Sequence, residues 1–103
     1  MQRTVATLTP ELRKQLERSL RGQLDQLEPY RVPPYHTLCV KGGFEMDVAV
    51  FARQGTAVFF VSLDALRFGV GVLNELGDIV ESDHYPNVTM ATRSFIGAVK
   101  GRA

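Results

Sequence analysis

The chain has 103 residues, a formal net charge of +1 and 45% hydrophobic residues. This length fits one domain, predicted over residues 1–103, and the composition excludes an intrinsically disordered chain. A single cysteine, Cys39, excludes an intrachain disulfide. The first residues lack the apolar core of a signal peptide, and no stretch is long and apolar enough for a membrane span. We therefore expect a cytoplasmic protein.

The first predicted element is a helix from Thr9 to Glu28. Thr9 followed by Pro10 is typical of a helix start, and Pro29 ends the helix. Gly22 weakens its middle. One face carries a stripe of leucines: Leu12, Leu16, Leu20, Leu24 and Leu27. The stripe is too short for a coiled coil, so it predicts a helix packed against a sheet.

A β-meander is predicted after an extended, proline-rich connector. Glycine-containing turns at Gly42-Gly43 and Gln54-Gly55 separate three segments of alternating or β-branched residues. The three predicted strands are His36–Lys41, Phe44–Arg53 and Thr56–Leu63. The glycine turns therefore predict two consecutive antiparallel hairpins.

The predicted register sorts the side chains of these strands into two faces. A two-residue turn at Gln54-Gly55 makes one face wholly apolar, with the pairs Ala52/Ala57, Val50/Phe59, Val48/Val61 and Met46/Leu63. In the preceding hairpin, Cys39 faces Met46. We expect the N-terminal helix to cover this face, because a leucine stripe and an apolar sheet face both need burial.

The opposite face carries a second apolar patch, which we call the predicted contact patch. Its members are Leu38, Val40, Phe51, Val58 and Phe60, with Arg53 at the rim. An apolar surface of this kind is covered either by the rest of the chain or by a partner. Self-association as a homodimer is the simplest way for a partner to bury it.

The C-terminal half is less clearly patterned. Residues 64–77 fit a helix or a strand, and Gly69 and Gly71 favour the strand. A turn at 74–77, a short strand at Asp78–Ser82, a loop at Asp83–Asn87 and a helix over 88–100 are predicted to follow. The expected fold is α+β, with the N-terminal helix on an antiparallel meander of about four or five strands and a closing C-terminal helix.

Sequence motifs give little sign of chemistry. In the segment Gly69–Asn74, Asn74 replaces the third glycine of a dinucleotide loop, so no cofactor is expected. His36 and His84 have no neighbouring third ligand at metal-site spacing, so no metal site is expected. Cys39 is predicted as a buried core residue rather than a nucleophile.

These observations favour a non-enzymatic binding or regulatory protein that contacts a protein partner or a second copy of itself, with Phe51 and Phe60 as anchors. Two alternatives stay open. A small enzyme or ligand-binding domain would use the loop residues Asp83, His84 and Tyr85. A nucleic-acid-associated protein would use the basic face of the first helix, formed by Arg13, Lys14, Arg18 and Arg21. The nearly neutral net charge makes it the less favoured alternative.

Overall fold

The computed structural model describes residues 9–20, 22–64 and 67–101, which form a five-stranded barrel with helices packed on its outside. In chain order the elements are α1 (Pro10–Ser19), α2 (Leu24–Leu27), a 3₁₀ turn (Glu28–Tyr30), β1 (Arg31–Lys41), β2 (Phe44–Gln54), β3 (Ala57–Ser62), β4 (Phe68–Leu73), β5 (Ile79–Tyr85) and α3 (Val88–Gly101). No helix in these ranges is long and apolar enough to cross a membrane.

Helix α1 begins at the predicted cap. The Thr9 hydroxyl accepts a hydrogen bond from the Leu12 backbone N–H at 3.1 Å. The helix is shorter than predicted, because it ends at Ser19 and Gly22 then takes a φ of +90°, which a helix cannot contain. Within the leucine stripe, Leu12 still packs against the core. Three of its members are fully buried: Leu16, Leu20 and Leu27.

Strands β1 and β2 form the predicted first hairpin. Gly42 and Gly43 have φ values of 58° and 85°, and glycine is the residue that best adopts two successive positive φ angles in a tight turn. The predicted register is confirmed, since Cys39 lies opposite Met46. This turn therefore decides which side chains of β1 and β2 point to the same face.

The predicted register of the second hairpin is wrong. The turn lies one residue later than expected, because Gln54 pairs with Ala57 and Gly55 takes the positive φ of 62°. A bulge immediately after Val50 shifts the register again. As a result Val50 points into the barrel and Val61 points toward the helices, whereas the prediction placed both on one face.

The sheet closes into a barrel, which corrects the prediction of an open meander. After four antiparallel steps, β5 runs in the same direction as β1, and the two strands pair in parallel where Cys39 lies opposite Ile79. A side-chain bond reinforces this closure, because Lys41 Nζ donates to the Ser82 carbonyl oxygen at 2.8 Å. Closure gives the sheet an interior that an open meander lacks.

The closed sheet has two buried apolar clusters, one on each of its faces. The inner cluster fills the barrel and contains Cys39, Val48, Val50, Val58, Phe60, Leu73 and Ile79. The outer cluster joins the sheet to the helices and contains Leu16, Leu20, Leu27, Ala49, Phe51, Ala52, Ala57, Phe59, Val61, Phe68, Ala91 and Phe95. Because every residue of β3 is buried, both faces of the sheet are covered at this strand.

The C-terminal half follows the prediction in part. The segment 64–77 contains strand β4, as the two glycines favoured. Ala65 and Leu66 of this segment lie outside the described residues. Strand β5 continues to Tyr85, so the loop predicted from Asp83 onward is wrong in its first half. Pairing with β4 holds these residues in the sheet. The closing helix is confirmed as α3.

Candidate functional site

The predicted contact patch is largely buried within the chain. Four of its members are at most 5% exposed: Leu38, Phe51, Val58 and Phe60. Phe51 lies under the helices, whereas Val58 and Phe60 lie inside the barrel. Val40 is partly buried and Arg53 is exposed. The chain itself therefore covers most of the patch that was predicted to contact a partner. Self-association stays a prediction, but this patch no longer supports it.

The second predicted site, Asp83–Tyr85, lies on β5, and strand alternation separates its three side chains. The Tyr85 hydroxyl donates to Ser94 Oγ of α3 at 2.9 Å, so this side chain is on the helix-covered face. His84 projects to the other face, into the barrel, where its ring meets that of Phe60. Asp83 is exposed, and strand alternation places its side chain on the opposite face of β5 from His84. The three side chains thus leave β5 on alternate faces, although all three line one cleft at the end of the strand.

His84 is positioned by a row of residues across three strands. Gly69 of β4 pairs with Phe60 of β3 on one side and with His84 on the other. A Cβ atom at position 69 would lie 2.2 Å from Phe60 Cζ, so glycine leaves the room that the phenyl ring occupies. The imidazole then meets this ring edge-on, with centroids 5.7 Å apart and an interplanar angle of 87°.

A thiol, a hydroxyl and an imidazole meet beside this row. Barrel closure brings Cys39 of β1 next to β5, where Ser82 and His84 share a face. Ser82 Oγ lies 3.0 Å from His84 Nε2 and 3.3 Å from Cys39 Sγ, and the thiol sulfur lies 3.8 Å from His84 Nε2. Cys39 is 2% exposed, which confirms the predicted burial. The sequence prediction missed Ser82, although its spacing from His84 places both on one face of a strand.

The environment of His84 keeps its ring neutral. Burial is the largest cause that lowers the pKa of His84 below its usual 6.5, and the charges of Lys41 and Arg67 lower it further. The carboxylate of Asp83 acts in the opposite direction. At neutral pH the imidazole is therefore uncharged, with one nitrogen able to donate a hydrogen bond and the other able to accept one.

A cleft of about 520 Å³ opens where β1 and β5 end and β2 and β4 begin. We call it the barrel-mouth cleft. Its lining residues are Cys39, Lys41, Phe44, Met46, Arg67, Asp83, His84 and Tyr85. A hollow of about 270 Å³ shares Arg67, His84 and Tyr85 with it. The volume of the cleft lies within the range of small-molecule sites, roughly 300–1,000 Å³.

The two histidines do not form a joint site. His36 Nε2 lies 2.7 Å from Asp47 Oδ1 and not beside His84. Within residues 9–20, 22–64 and 67–101, no three His, Cys, Asp or Glu side chains are close enough to hold a metal ion.

The basic face proposed for nucleic-acid binding is described only in part. Arg13, Lys14 and Arg18 are exposed on α1, and Arg13 Nε lies 3.6 Å from the Glu17 carboxylate. Arg21 lies outside the described residues. The exposed cations thus share their helix face with at least one paired acidic side chain, and ion pairing of this kind reduces the attraction of a basic face for phosphate.

Comparison with known proteins adds no relative: no protein-family model, curated protein or solved structure matches this chain. Function is therefore inferred from the barrel-mouth cleft and its lining residues.

Proposed function

We propose that this chain is a small-ligand-binding domain and that its site is the barrel-mouth cleft. This proposal keeps the ligand-binding alternative that the sequence raised for the Asp83–Tyr85 segment, but it moves the site from a loop to the mouth of the barrel. The observation that carries it is the meeting of charged, polar and apolar side chains around one cleft of about 520 Å³. A concave site with a few converging polar groups is the usual form of a ligand pocket.

The polar side of the cleft is held in place by the barrel. Lys41 Nζ is fixed by its bond to the Ser82 carbonyl oxygen, and His84 is fixed by the Phe60 ring and the Ser82 hydroxyl. Groups held by strands in this way keep their geometry before a ligand arrives, which lowers the entropy cost of binding.

The apolar side of the cleft comes from the start of β2. Phe44 is 80% exposed and Met46 is partly buried, and both line the cleft. An exposed phenylalanine gains contact area when an apolar ligand packs against it, and methionine adapts its shape to different ligands. The site therefore suits a molecule that has a polar head and an apolar body.

A titration with two probes of the same ring system tests the proposal. 2-Naphthoate and the neutral 2-naphthalenemethanol would be titrated into the isotopically labelled chain, with amide chemical shifts recorded. We expect at least one probe to shift the amides at the end of β1, the start of β2 and the end of β5. The Phe44→Ala variant should weaken that binding by roughly fivefold or more, because it removes buried apolar area.

Leu76→Ala is the matched control for Phe44→Ala. Leu76 is 84% exposed and does not line the cleft, so its truncation removes a similar exposed apolar side chain from another part of the molecule. Affinity should be unchanged in this variant. The proposal is overturned if neither probe shifts the amides at the cleft, or if both truncations change the affinity equally.

A further inference from the structure

We infer that the ligand of the barrel-mouth cleft is an organic anion, with an acidic head group held by Lys41 and Arg67 beside His84 and an apolar body against Phe44. This inference rests on the proposed function and specifies the class of ligand. A carboxylate is the simplest head group of this class.

The charges around the cleft carry the inference. Two cations, Lys41 and Arg67, and one carboxylate, Asp83, belong to its lining, which leaves an excess of positive charge. Strand alternation directs the Asp83 side chain to the opposite face of β5 from Ser82 and His84, so this carboxylate offsets only part of the positive charge around the cleft. An anionic head group would therefore meet the cations first.

The donors of both cations are available to a ligand. Lys41 Nζ uses one N–H for the Ser82 carbonyl oxygen, which holds the ammonium group at the cleft and leaves its other donors for a ligand. Arg67 is exposed and immediately precedes β4, and its guanidinium geometry suits a bidentate contact with a carboxylate. Together they provide hydrogen bonds as well as charge.

His84 responds to the same electrostatic field. The charged groups that act on it are Lys41, Arg67 and Asp83, and the uncharged Cys39 and Ser82 complete its polar surroundings. Burial, then Lys41 and Arg67, disfavour the protonated ring, and the same two cations make the cleft unfavourable for a cationic head group. The N–H of its neutral ring can still donate a hydrogen bond to the anion.

A charge series with one ring system tests the inference. The probes are 2-naphthoate, 2-naphthalenemethanol and 2-naphthylmethylammonium, which differ in the charge of the head group and share the apolar body. At about pH 8, where His84 is neutral, we expect the carboxylate to bind roughly tenfold or more tightly than the alcohol. The ammonium probe should bind most weakly.

Arg67→Gln is the site variant, and Arg53→Gln is its matched control. Arg53 is also an exposed arginine, but it lies at the β2–β3 turn, where its Nε donates to the Gly55 carbonyl oxygen. Arg67→Gln should reduce carboxylate affinity by roughly tenfold and leave alcohol affinity nearly unchanged, whereas Arg53→Gln should change neither.

The possible results separate the two proposals. If the alcohol or the ammonium probe binds in the cleft as tightly as the carboxylate, the anion assignment is overturned and the ligand-binding function stands. Equal losses for the carboxylate in Arg67→Gln and Arg53→Gln would also overturn it, since only general charge would then matter. If none of the three probes binds in the cleft, both proposals fall.

Discussion

The filled part of the barrel interior and the barrel-mouth cleft meet at Cys39, which belongs to the inner cluster and also lines the cleft, but most of their other residues differ. In the filled part, Gly71 leaves its space to Ile79, because a Cβ at position 71 would lie 2.3 Å from Ile79 Cγ2. At the mouth, Lys41, Met46 and His84 line the cleft and are exposed or only partly buried. Phe60 separates the two regions, since it is fully buried and its ring meets His84.

This difference shows how one small barrel can combine stability and binding. Close packing in the filled part contributes to the free energy of unfolding, and there every added or removed methyl group is costly. At the mouth, the polar side chains border open space. This arrangement contributes little to the free energy of unfolding, but it allows a ligand to enter. Substitutions on either side of Phe60 should therefore change different properties.

The largest expected effect is on the filled side. Phe60→Ala removes a fully buried ring from the centre of the inner cluster and takes away the support of His84. We expect the free energy of unfolding to fall by about 3–5 kcal/mol, as for other buried phenylalanines. Urea unfolding followed by circular dichroism measures this loss.

Phe44→Ala is the control for that loss. The same substitution at a phenylalanine that is 80% exposed should change the free energy of unfolding by less than about 0.5 kcal/mol. In ligand titrations, by contrast, Phe44→Ala should lower the affinity although it hardly changes the free energy of unfolding. Similar losses of stability in both variants would mean that the filled interior and the mouth are not distinct.

A smaller loss is expected from overpacking the row that positions His84. In Gly69→Ala the new methyl group would lie 2.2 Å from Phe60 Cζ, so the ring or the strand must move. We expect a loss of about 1–3 kcal/mol in the free energy of unfolding. In the Phe60→Leu background the same change should cost less, because the smaller side chain makes room.

Gly97→Ala tests whether the cost at Gly69 is steric. Gly97 is an exposed residue of α3 whose added Cβ would have nothing within 4 Å. Alanine there should stabilise the chain by about 0.5–1 kcal/mol, because it restricts the unfolded state and favours the helix. A loss at both glycines, or an additive loss in the Phe60→Leu background, would contradict the steric explanation.

The elements with strong local signals could be predicted from the sequence. Thr9-Pro10 placed the start of α1, and Gly42-Gly43 fixed the first hairpin in its observed register. The barrel could not be predicted, because closure depends on a contact between Cys39 and Ile79, far apart in the chain. One available signal was the unbroken apolar run of β3, which is typical of a strand buried on both faces.

The candidate site was predicted only in part. His84 was named, but as a loop residue beside Asp83 and Tyr85, since the sequence did not indicate that β5 continues through this segment. Arg67 comes near His84 through the pairing of β4 with β5, and Lys41 comes near it only after β1 pairs with β5. A bulge in β2 moved Phe51 and Val58 to opposite faces, and no local pattern marks such a bulge.

The smallest expected effect is a pH dependence of stability at the mouth. Burial, then Lys41 and Arg67, lower the folded-state pKa of His84 below 6.5, so the unfolded chain binds this proton more readily than the folded chain. The contribution of His84 is therefore complete above about pH 6.5 and is lost as the pH falls toward the folded-state pKa. Partial exposure of the ring keeps the loss below that of the packing variants.

His84→Gln should remove this part of the acid sensitivity, because glutamine keeps a polar side chain that does not titrate. Urea midpoints at about pH 7.5 and 5.5 would fall less in this variant than in the native chain. His36→Gln is the control, since His36 pairs with Asp47 away from the two cations that act on His84. If His84→Gln stays as acid-sensitive as the native chain, or if His36→Gln alone loses the sensitivity, then His84 is not the source of this acid sensitivity.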